Sequence, residues 1–371
     1  MQKKVLIIGV NDVGLYNFRK EFMEELINSN FEVHFSVPYG SKVELLEELG
    51  AVYHRIELQR RGKNPANELK LIVAYYKLIK KTMPSLVVTQ TIKPNIYASL
   101  VAKVLGIQYI NLVTGLGSGL SGNNLSAKLI GKLYRVALSK SRCVFFQNEG
   151  DLQHFKEFLD RKEIKRVLTK GSGVNLEKYD KSQFFPDGDT TGSTTSFIFI
   201  GRIQKEKGIE EYIEAAVYYA EQNCDCDFSV LGFYDEEAYI EIIDRLAENG
   251  TIKYIGVSDD TRVEMSKSNC VVLPSYHEGM SNVLLEGAAM ELPLITTNVH
   301  GCKEAVEDGV TGFLCEPKNA ESLIVAIEKF LKLSAEERAK MGELGRQKMI
   351  KEFDRKTVVK QYMQAVNEIL G

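Results

Sequence analysis

Two glutamates in the stretch PSYHEGMSNVLLEGAAMELPLI (274–295) lie eight positions apart. The run VLLEGAAMEL predicts a helix that begins near Ser281 or Asn282. Glu278 then stands just before the helix, and Glu286 lies about one turn inside it, roughly 6 Å along the axis. A helix N-terminus binds anions through free backbone N–H groups, and carboxylates accept hydrogen bonds from hydroxyl groups. The pattern therefore fits a diphosphate flanked by polyols, and the alternative for Glu286 is a solvent-facing helix residue.

A basic pair occupies the turn in IFIGRIQKEKG (198–208), between a strand-like run and a helical one. Arg202 and Lys207 lie five positions apart in this turn. Ligands of open α/β sheets bind at the carboxyl ends of the strands. A guanidinium fork together with an ammonium group suits a diphosphate. The two residues therefore predict a phosphate site, and the alternative is an ordinary solvated basic turn.

Short apolar runs alternate with helical patterns along most of the chain. The strand-like runs are KKVLIIGV, FEVHFSVP, AVYHRIEL, SLVVTQ, QYINLVT and CVFFQN in the first half, and SFIFIGR, DFSVLG, IKYIG, CVVLPS, LPLITT and GFLCEP in the second. Strands separated by helices predict parallel sheets with right-handed crossovers. With a polar, turn-rich linker at 186–195, the pattern predicts two doubly wound α/β domains facing a cleft. We expect domains at 1–182 and 183–350, and a final helix at 351–371 that crosses back to the first domain.

The charge is unevenly distributed along the chain. No Asp or Glu occurs between residues 69 and 148, whereas eleven Lys and Arg do, so this segment carries +11 in a chain of net charge −3. Such long segments without acid are unusual. This one suits anionic lipid or a phosphorylated substrate better than nucleic acid, for which no reader motif is present. The alternative is a solvated basic face.

Composition indicates a cytoplasmic protein. MQKKVLIIGV reads as a basic tip followed by a strand rather than as a secretory signal. No apolar run approaches the ~18 residues of a spanning helix. The six cysteines show no repeated CxxC spacing, which indicates reduced thiols rather than a zinc or disulfide framework.

Several motifs together resemble one known family. They are GR-x4-KG, E-G-x6-E and HGCKEAVEDGVTG in the second half, and Y-x-FR, LVTGLGSG and KGSGVNLEKY in the first. The set resembles the family-4 retaining glycosyltransferases, which have the GT-B fold of two Rossmann-like domains. The nearest subgroup comprises bacterial galactosyl- and N-acetylgalactosaminyltransferases of polysaccharide, O-antigen and glycan assembly. The resemblance implies transfer of a hexose or N-acetylhexosamine from a UDP-linked sugar to an undecaprenyl-diphosphate-linked acceptor, without a metal or other cofactor.

The resemblance also assigns residues to the donor. It implies that Arg202 and Lys207 hold the diphosphate and stabilise the leaving group, and that Glu278 binds the sugar hydroxyls. These three residues are therefore expected to be catalytic. Glu286 would take the ribose hydroxyls. Further donor contacts are implied for the loop after the first strand, for the base-binding strand and for the start of the glutamate-bearing helix, namely Gly9, Asn11, Ile255, Val257, Met280, Ser281, Asn282 and Val283.

The first domain is expected to face the acceptor and the membrane. Thr114 stands where many relatives have a histidine near the reacting carbon, and Gly117 lies in a glycine-rich loop that would cover the acceptor. The amphipathic segment AKLIGKLYRVALSKSR carries Lys128, Lys132 and Arg135, which would touch anionic headgroups. Its alternative is an ordinary helix that covers the sheet. We expect peripheral association with the inner face of the cell membrane.

Two other functions stay open at this point. Nucleotide-sugar epimerases can share the GT-B fold, although no convincing acid–base pair stands at the motif positions. A non-catalytic partner subunit that binds a nucleotide sugar is the other alternative. The intact Arg202, Lys207, Glu278 and Glu286 favour an enzyme over such a subunit.

Overall fold

The computed structural model describes residues 2–58, 64–115, 125–158, 164–184 and 194–371. The chain forms two compact units, one of Met1–Ser172 with Lys356–Gly371 and one of Gly173–Arg355. The sequence analysis placed the division at 182/183 and a separate helix from residue 351. In the structure the chain enters the second unit at Gly173, because Val174 lies in the core of that unit and its N–H donates to the Phe353 carbonyl at 2.8 Å.

The first unit contains a seven-stranded parallel sheet among the described residues. Its strands are β1 (Lys4–Ile8), β2 (Glu32–Val37), β3 (Val52–Arg55), β4 (Leu86–Gln90), β5 (Gln108–Val113), β6 (Cys143–Phe146) and β7 (Lys165–Leu168). Their order is β3-β2-β1-β4-β5-β6-β7. The order reverses between β1 and β4, which is the switch point at which α/β sheets bind ligands.

Helices cover both faces of this sheet. They are α1 (Asp12–Asn28), α2 (Val43–Glu47), α3 (Pro65–Thr82), α4 (Ile92–Leu105), α5 (Leu125–Leu138) and α6 (Glu149–Phe158). Successive side chains of a strand point to opposite faces. Val5 and Ile7 accordingly share a core with Phe22 of α1, whereas Leu6 packs with Tyr75 of α3.

The second unit repeats this arrangement. Its strands are β8 (Thr195–Ile200), β9 (Cys226–Leu231), β10 (Lys253–Gly256), β11 (Cys270–Leu273), β12 (Leu294–Thr297) and β13 (Gly312–Cys315). Its helices are α7 (Ile209–Glu221), α8 (Ile240–Glu248), α9 (Thr261–Ser266), α10 (Asn282–Ala289), α11 (Ala320–Leu331) and α12 (Ala335–Glu352). The strand order β10-β9-β8-β11-β12-β13 reverses between β8 and β11.

The last helix, α13 (Arg355–Leu370), packs in the first unit. Val358, Tyr362 and Val366 are buried in the core that also contains Phe22 and Phe145. The Tyr362 ring meets both phenyl rings edge-on, with centroid distances of 5.3 Å to Phe22 and 4.8 Å to Phe145. Such edge-to-face pairs add to the stabilisation gained from burial alone. The core of the first unit is therefore built from residues at both ends of the chain.

The predicted fold class of two doubly wound α/β units is confirmed, and all twelve predicted strands are present. Sequence analysis did not predict β7, whose sequence KRVL is short and half charged. It is an edge strand, which is where such a sequence is tolerated. The linker proposed for 186–195 lies mostly outside the described residues. No helix in the described ranges is long and apolar enough to cross a membrane.

Candidate active site

The loops that follow β8 and β11 meet at the switch point of the second sheet. Gly208 in the first loop has a φ of +74°, and a Cβ atom there would lie 2.1 Å from the Pro274 carbonyl oxygen. Only glycine permits this conformation together with this close approach. The Tyr276 N–H donates to the Glu206 carbonyl at 2.9 Å and joins the two loops again. Lys207 and Glu278 are thereby brought together.

Lys207 and Glu278 form an ion pair between these loops. Ser275 Oγ donates to the same carboxylate oxygen, Glu278 Oε1, at 2.9 Å. The two charged side chains are only 18% and 12% exposed, and charges interact more strongly where water is largely excluded. An ammonium group has three donors. Lys207 can therefore contact an anion while it remains paired with Glu278.

Arg202 is held by a carboxylate from a third loop. Its Nη1 atom lies 2.5 Å from Asp235 Oδ2, in the loop that follows β9. The hydrogen-bond network orients the Gln204 amide so that its nitrogen donates to Asp235 at 2.8 Å and its oxygen accepts from Arg202 Nη2 at 3.2 Å. Two partners thus fix the guanidinium at the carboxyl end of β8.

The helix α10 begins at Asn282 with Ser281 as its N-cap, as the sequence predicted. The Ser281 side chain makes no capping hydrogen bond, and Asn282 Oδ1 is buried without a partner among the described residues. A Cβ on Gly301, where φ is +86°, would lie 2.3 Å from the Glu278 carbonyl oxygen. The HGC turn therefore packs directly against the backbone of Glu278, beside a helix end with polar groups available to a ligand.

Glu286 lies in the second turn of α10 and is 8% exposed. The solvent-facing alternative for this residue is therefore wrong. Burial raises the pKa of Glu286 to about 7, and a hydrogen bond from Tyr179 with the charges of Arg355 and Lys178 offsets part of this effect. The carboxyl group therefore holds its proton more tightly than an exposed glutamate does.

Arg346 on α12 fixes the position of Tyr179, the hydrogen-bond partner of Glu286. Arg346 Nη1 donates to the Tyr179 carbonyl at 2.9 Å and also to the Ala289 carbonyl at the end of α10. Arg346 Nη2 lies 3.3 Å from Asp180 Oδ2. One side chain thus ties the backbone of Tyr179 to the helix that carries Glu286, and the distance between the phenol and the carboxyl group is constrained.

The chemistry of this arrangement is anion binding next to hydroxyl binding. Arg202, Lys207 and the N-terminus of α10 supply positive charge, while Glu278 and Glu286 supply acceptors on either side of that helix end. Within the part of the chain that the structure describes, no three His, Cys, Asp or Glu side chains are grouped closely enough to hold a metal ion. A diphosphate bearing two polyols matches these groups.

Comparison with known families agrees with this geometry. Residues 180–348 match the family described as "Glycosyl transferases group 1", and residues 4–148 match "Glycosyl transferase 4-like". Together the two matches span most of both units, and the chain is a glycosyltransferase. Both family descriptions name glycosyl transfer, which supports a transferase, and they give no support to the epimerase or to the non-catalytic subunit.

Two bacterial relatives match this glycosyltransferase over most of their length. The N,N'-diacetylbacillosaminyl-diphospho-undecaprenol alpha-1,3-N-acetylgalactosaminyltransferase of Campylobacter jejuni is 27% identical over 330 residues, 86% of each chain. The UDP-Gal:alpha-D-GlcNAc-diphosphoundecaprenol alpha-1,3-galactosyltransferase of Escherichia coli is 26% identical over 345 residues, 88% of this chain and 86% of its own. HepE from Anabaena in complex with UDP-glucose has a TM-score of 0.78 at 16% identity, covering 98% of this chain and 99% of its own. This last likeness shows the GT-B fold.

The remaining predicted donor residues of the second unit lie on or next to β10 and the start of α10. Ile255 is partly buried in β10, and Val257 follows that strand with 71% of its surface exposed. Met280 is buried beside the N-cap of α10, and Val283 is partly buried in its first turn. Their backbone contacts with a donor stay a prediction.

The predicted residues of the first unit follow two of its central strands. Gly9 and Asn11 come after β1, and the Asn11 side chain caps α1 by accepting a hydrogen bond from the Gly14 N–H at 2.6 Å. Thr114 comes directly after β5. Gly117 lies outside the described residues. Donor and acceptor contacts at these positions also stay predictions.

Sequence reasoning missed two residues that contact the predicted site residues Arg202 and Glu286. Asp235 lies in the segment GFYDEE after β9, next to β8 in the sheet. The rule that ligand-facing groups follow strand ends would have identified it. Tyr179 ends the motif KGSGVNLEKY, but a phenol carries no signal that it will meet a carboxylate more than a hundred residues later.

Proposed function

We propose that this glycosyltransferase transfers a hexose or N-acetylhexosamine, with retention of configuration, from a UDP-linked sugar to a saccharide on undecaprenyl diphosphate. The main support is the Lys207–Glu278 pair beside the N-terminus of α10, which would join a diphosphate site to an acceptor for sugar hydroxyls. Both bacterial relatives are named for transfer to a diphospho-undecaprenol-linked saccharide, which supports the acceptor class. The product would serve cell-surface polysaccharide or glycan synthesis.

In this proposal, Arg202 and Lys207 neutralise the charge that develops on the departing UDP. Glu278 accepts hydrogen bonds from the donor sugar, and Glu286 accepts them from the ribose. The N–H groups at the start of α10 complete the diphosphate site. Retention would follow from attack of the acceptor hydroxyl on the face from which UDP leaves. We expect no metal requirement, since two cations and a helix end are already grouped at the phosphate site.

A thermal-shift panel tests the donor. A ligand that binds only the folded state raises the melting temperature, so UDP-hexose or UDP-N-acetylhexosamine should raise that of the wild type. Glu286→Ala should respond weakly, because the ribose would lose its acceptor. Glu214→Ala, an exposed glutamate on α7, is the matched control and should respond like the wild type. If no UDP-, GDP-, TDP- or ADP-sugar shifts the wild type, the donor assignment is wrong.

We further propose that α5 contacts an anionic membrane from the cytoplasmic side. Lys128, Lys132 and Arg135 are exposed on this helix. Leu129 and Val136 on the same helix are 58% and 50% exposed. Exposed apolar side chains next to cations are typical of helices that lie in a membrane interface. This surface would keep the enzyme close to a lipid-linked acceptor.

Vesicle flotation tests this contact. The wild type should float with vesicles that contain phosphatidylglycerol, and the triple variant Lys128→Glu, Lys132→Glu, Arg135→Glu should remain at the bottom, since each basic residue near an anionic surface contributes about 1 kcal/mol. The matched control reverses three exposed cations of the second unit, Lys253, Lys329 and Lys351. Equal flotation of the α5 variant and this control would contradict the proposal.

A further inference from the structure

The first unit has its own switch point, where β1 and β4 are paired and the strand order reverses. The crevice outside the carboxyl ends of strands at such a point is the usual ligand site of an open α/β sheet. Gln90 ends β4 there, and Thr91 joins it to α4. Neither residue belongs to the motifs that define the donor site in the second unit.

Gln90 has a buried side chain whose amide is not paired with any of the described residues. Its side chain is only 6% exposed, and it makes no hydrogen bond with any residue that the structure describes. A Cβ on Gly9 would lie 2.8 Å from Gln90 Nε2, so the amide lies across the backbone just beyond the end of β1. Gln90 therefore presents donors and an acceptor in the crevice to a group that the chain itself does not supply.

Thr91 is strained and also unsatisfied. Its φ of +71° is rare for a β-branched residue. It is the N-cap of α4, yet its side chain makes no capping hydrogen bond, and its Oγ1 atom is buried without a partner among the described residues. Strained backbone that persists in a folded protein tends to occur at binding sites. The hydroxyl is thus held next to the N-terminus of a 14-residue helix.

A buried polar network keeps this helix start in place. Thr89 Oγ1 donates to Asn95 Oδ1 at 2.6 Å, and Asn95 Nδ2 donates to the Leu112 carbonyl at 3.0 Å. Asn111 Nδ2 donates to Thr89 Oγ1 at 2.7 Å. Because these side chains are fully buried, the network ties α4 to β4 and β5 and makes the neighbouring Gln90 and Thr91 rigid.

The charge around these groups favours an anion. The N-terminus of α4 carries the positive end of the helix dipole. Lys93 lies in the first turn, 2.7 Å from Glu68. This pair is neutral overall, so the attraction for an anion comes from the helix end. A phosphate group would accept hydrogen bonds from the Gln90 amide, the Thr91 hydroxyl and the helix end at once.

We propose that Gln90, Thr91 and the first turn of α4 form a subsite for a phosphate of the lipid-linked acceptor diphosphate. This inference rests on the proposed function, because the acceptor class comes from it. The subsite holds the acceptor by the group that every saccharide on undecaprenyl diphosphate shares. Recognition there is therefore independent of the acceptor sugar.

Calorimetric titration with farnesyl diphosphate, a soluble polyprenyl diphosphate, tests the subsite. Gln90→Glu should weaken its binding about 10-fold or more, because a carboxylate replaces the amide donor and repels the phosphate. Gln90→Leu and Thr91→Val, which keep the side-chain volume, should each weaken it several-fold and should melt close to the wild type. UDP affinity should stay unchanged in all three variants.

Three results would overturn the subsite. The first is equal affinity for farnesyl diphosphate in the wild type and in Gln90→Glu. The second is a parallel loss of UDP affinity, which would assign these residues to the donor diphosphate. The third is that inorganic diphosphate binds the wild type as tightly as farnesyl diphosphate and binds the Gln90 variants more weakly. Gln90 and Thr91 would then bind a free anion rather than a lipid-linked one. Failure of every nucleotide sugar in the thermal-shift panel would remove the proposed donor and leave the farnesyl diphosphate result intact.

Discussion

Replacing Lys207 by alanine should lower kcat for sugar transfer by about 10²- to 10³-fold, the loss typical of removing one group that stabilises developing charge. Lys207 is largely buried with Glu278 between the loops after β8 and β11. Its charge therefore acts on a leaving diphosphate with little screening by water. Arg202→Ala should act in the same direction, since Asp235 holds its guanidinium at the same sheet edge. Single-turnover rates at saturating donor measure this step separately from product release.

Lys205→Ala is the matched control for this prediction. Lys205 lies two positions away, is 59% exposed and pairs with Glu210 on the surface, so its removal should leave kcat unchanged. Lys207→Ala also leaves Glu278 without its cation, and losing one partner of a buried pair costs about 3–5 kcal/mol of folding free energy. Melting temperatures therefore accompany the rates. A folded Lys207→Ala enzyme that transfers sugar at the wild-type rate would rule out the phosphate role.

Glu286→Gln should remove a pH dependence of stability that the wild type shows. Because burial raises the pKa of Glu286 from 4.5 to about 7, the folded state binds this proton more tightly than the unfolded state. The associated stability is complete below pH 4.5 and is lost as the pH rises through 7. The total is roughly 3 kcal/mol at 1.36 kcal/mol for each pKa unit. Urea unfolding followed by circular dichroism gives the free energy of unfolding at pH 5 and at pH 8. At pH 8 this free energy should be higher for Glu286→Gln than for the wild type by most of that roughly 3 kcal/mol.

Two further variants make the pH prediction specific. Glu214→Gln, at an exposed position of α7, should unfold like the wild type at both pH values. Tyr179→Phe removes the hydrogen bond that lowers the pKa of Glu286, so the loss of stability should move to higher pH. A free energy difference between Glu286→Gln and wild type that is the same at pH 5 and pH 8 would contradict the raised pKa.

The local parts of the site could be predicted from the sequence. The change from the apolar run CVVL to the turn EGMSN and then to VLLEGAA predicts a strand, a loop and a helix, and the helix begins at Asn282 in the structure. The same reasoning placed Arg202 and Lys207 in the turn between a strand and a helix. These features depend on residues that are close together in the chain, where period and turn chemistry are informative.

The pairings within the site could not be predicted in this way. Lys207 meets Glu278 across 71 positions, and Arg202 meets Asp235 across 33. Such contacts depend on which strands become neighbours, and β8 lies between β9 and β11 only after the sheet has formed. The burial of Glu286 is of the same kind. The sequence of α10 is compatible with Glu286 on a buried or on an exposed side of the helix. Glu286 is buried because α12 and the segment around Tyr179 pack against that side.

The position of α13 reverses the order in which the two units can be completed during synthesis. When β7 emerges from the ribosome, the first core still lacks Tyr362 and Val366, so Phe22 and Phe145 have no cover from the last helix. The second unit, by contrast, is continuous from Gly173 to Arg355 and can fold as soon as it has emerged. The N-terminal unit is therefore the last to close. During most of translation the nascent chain exposes an apolar face that a chaperone can bind.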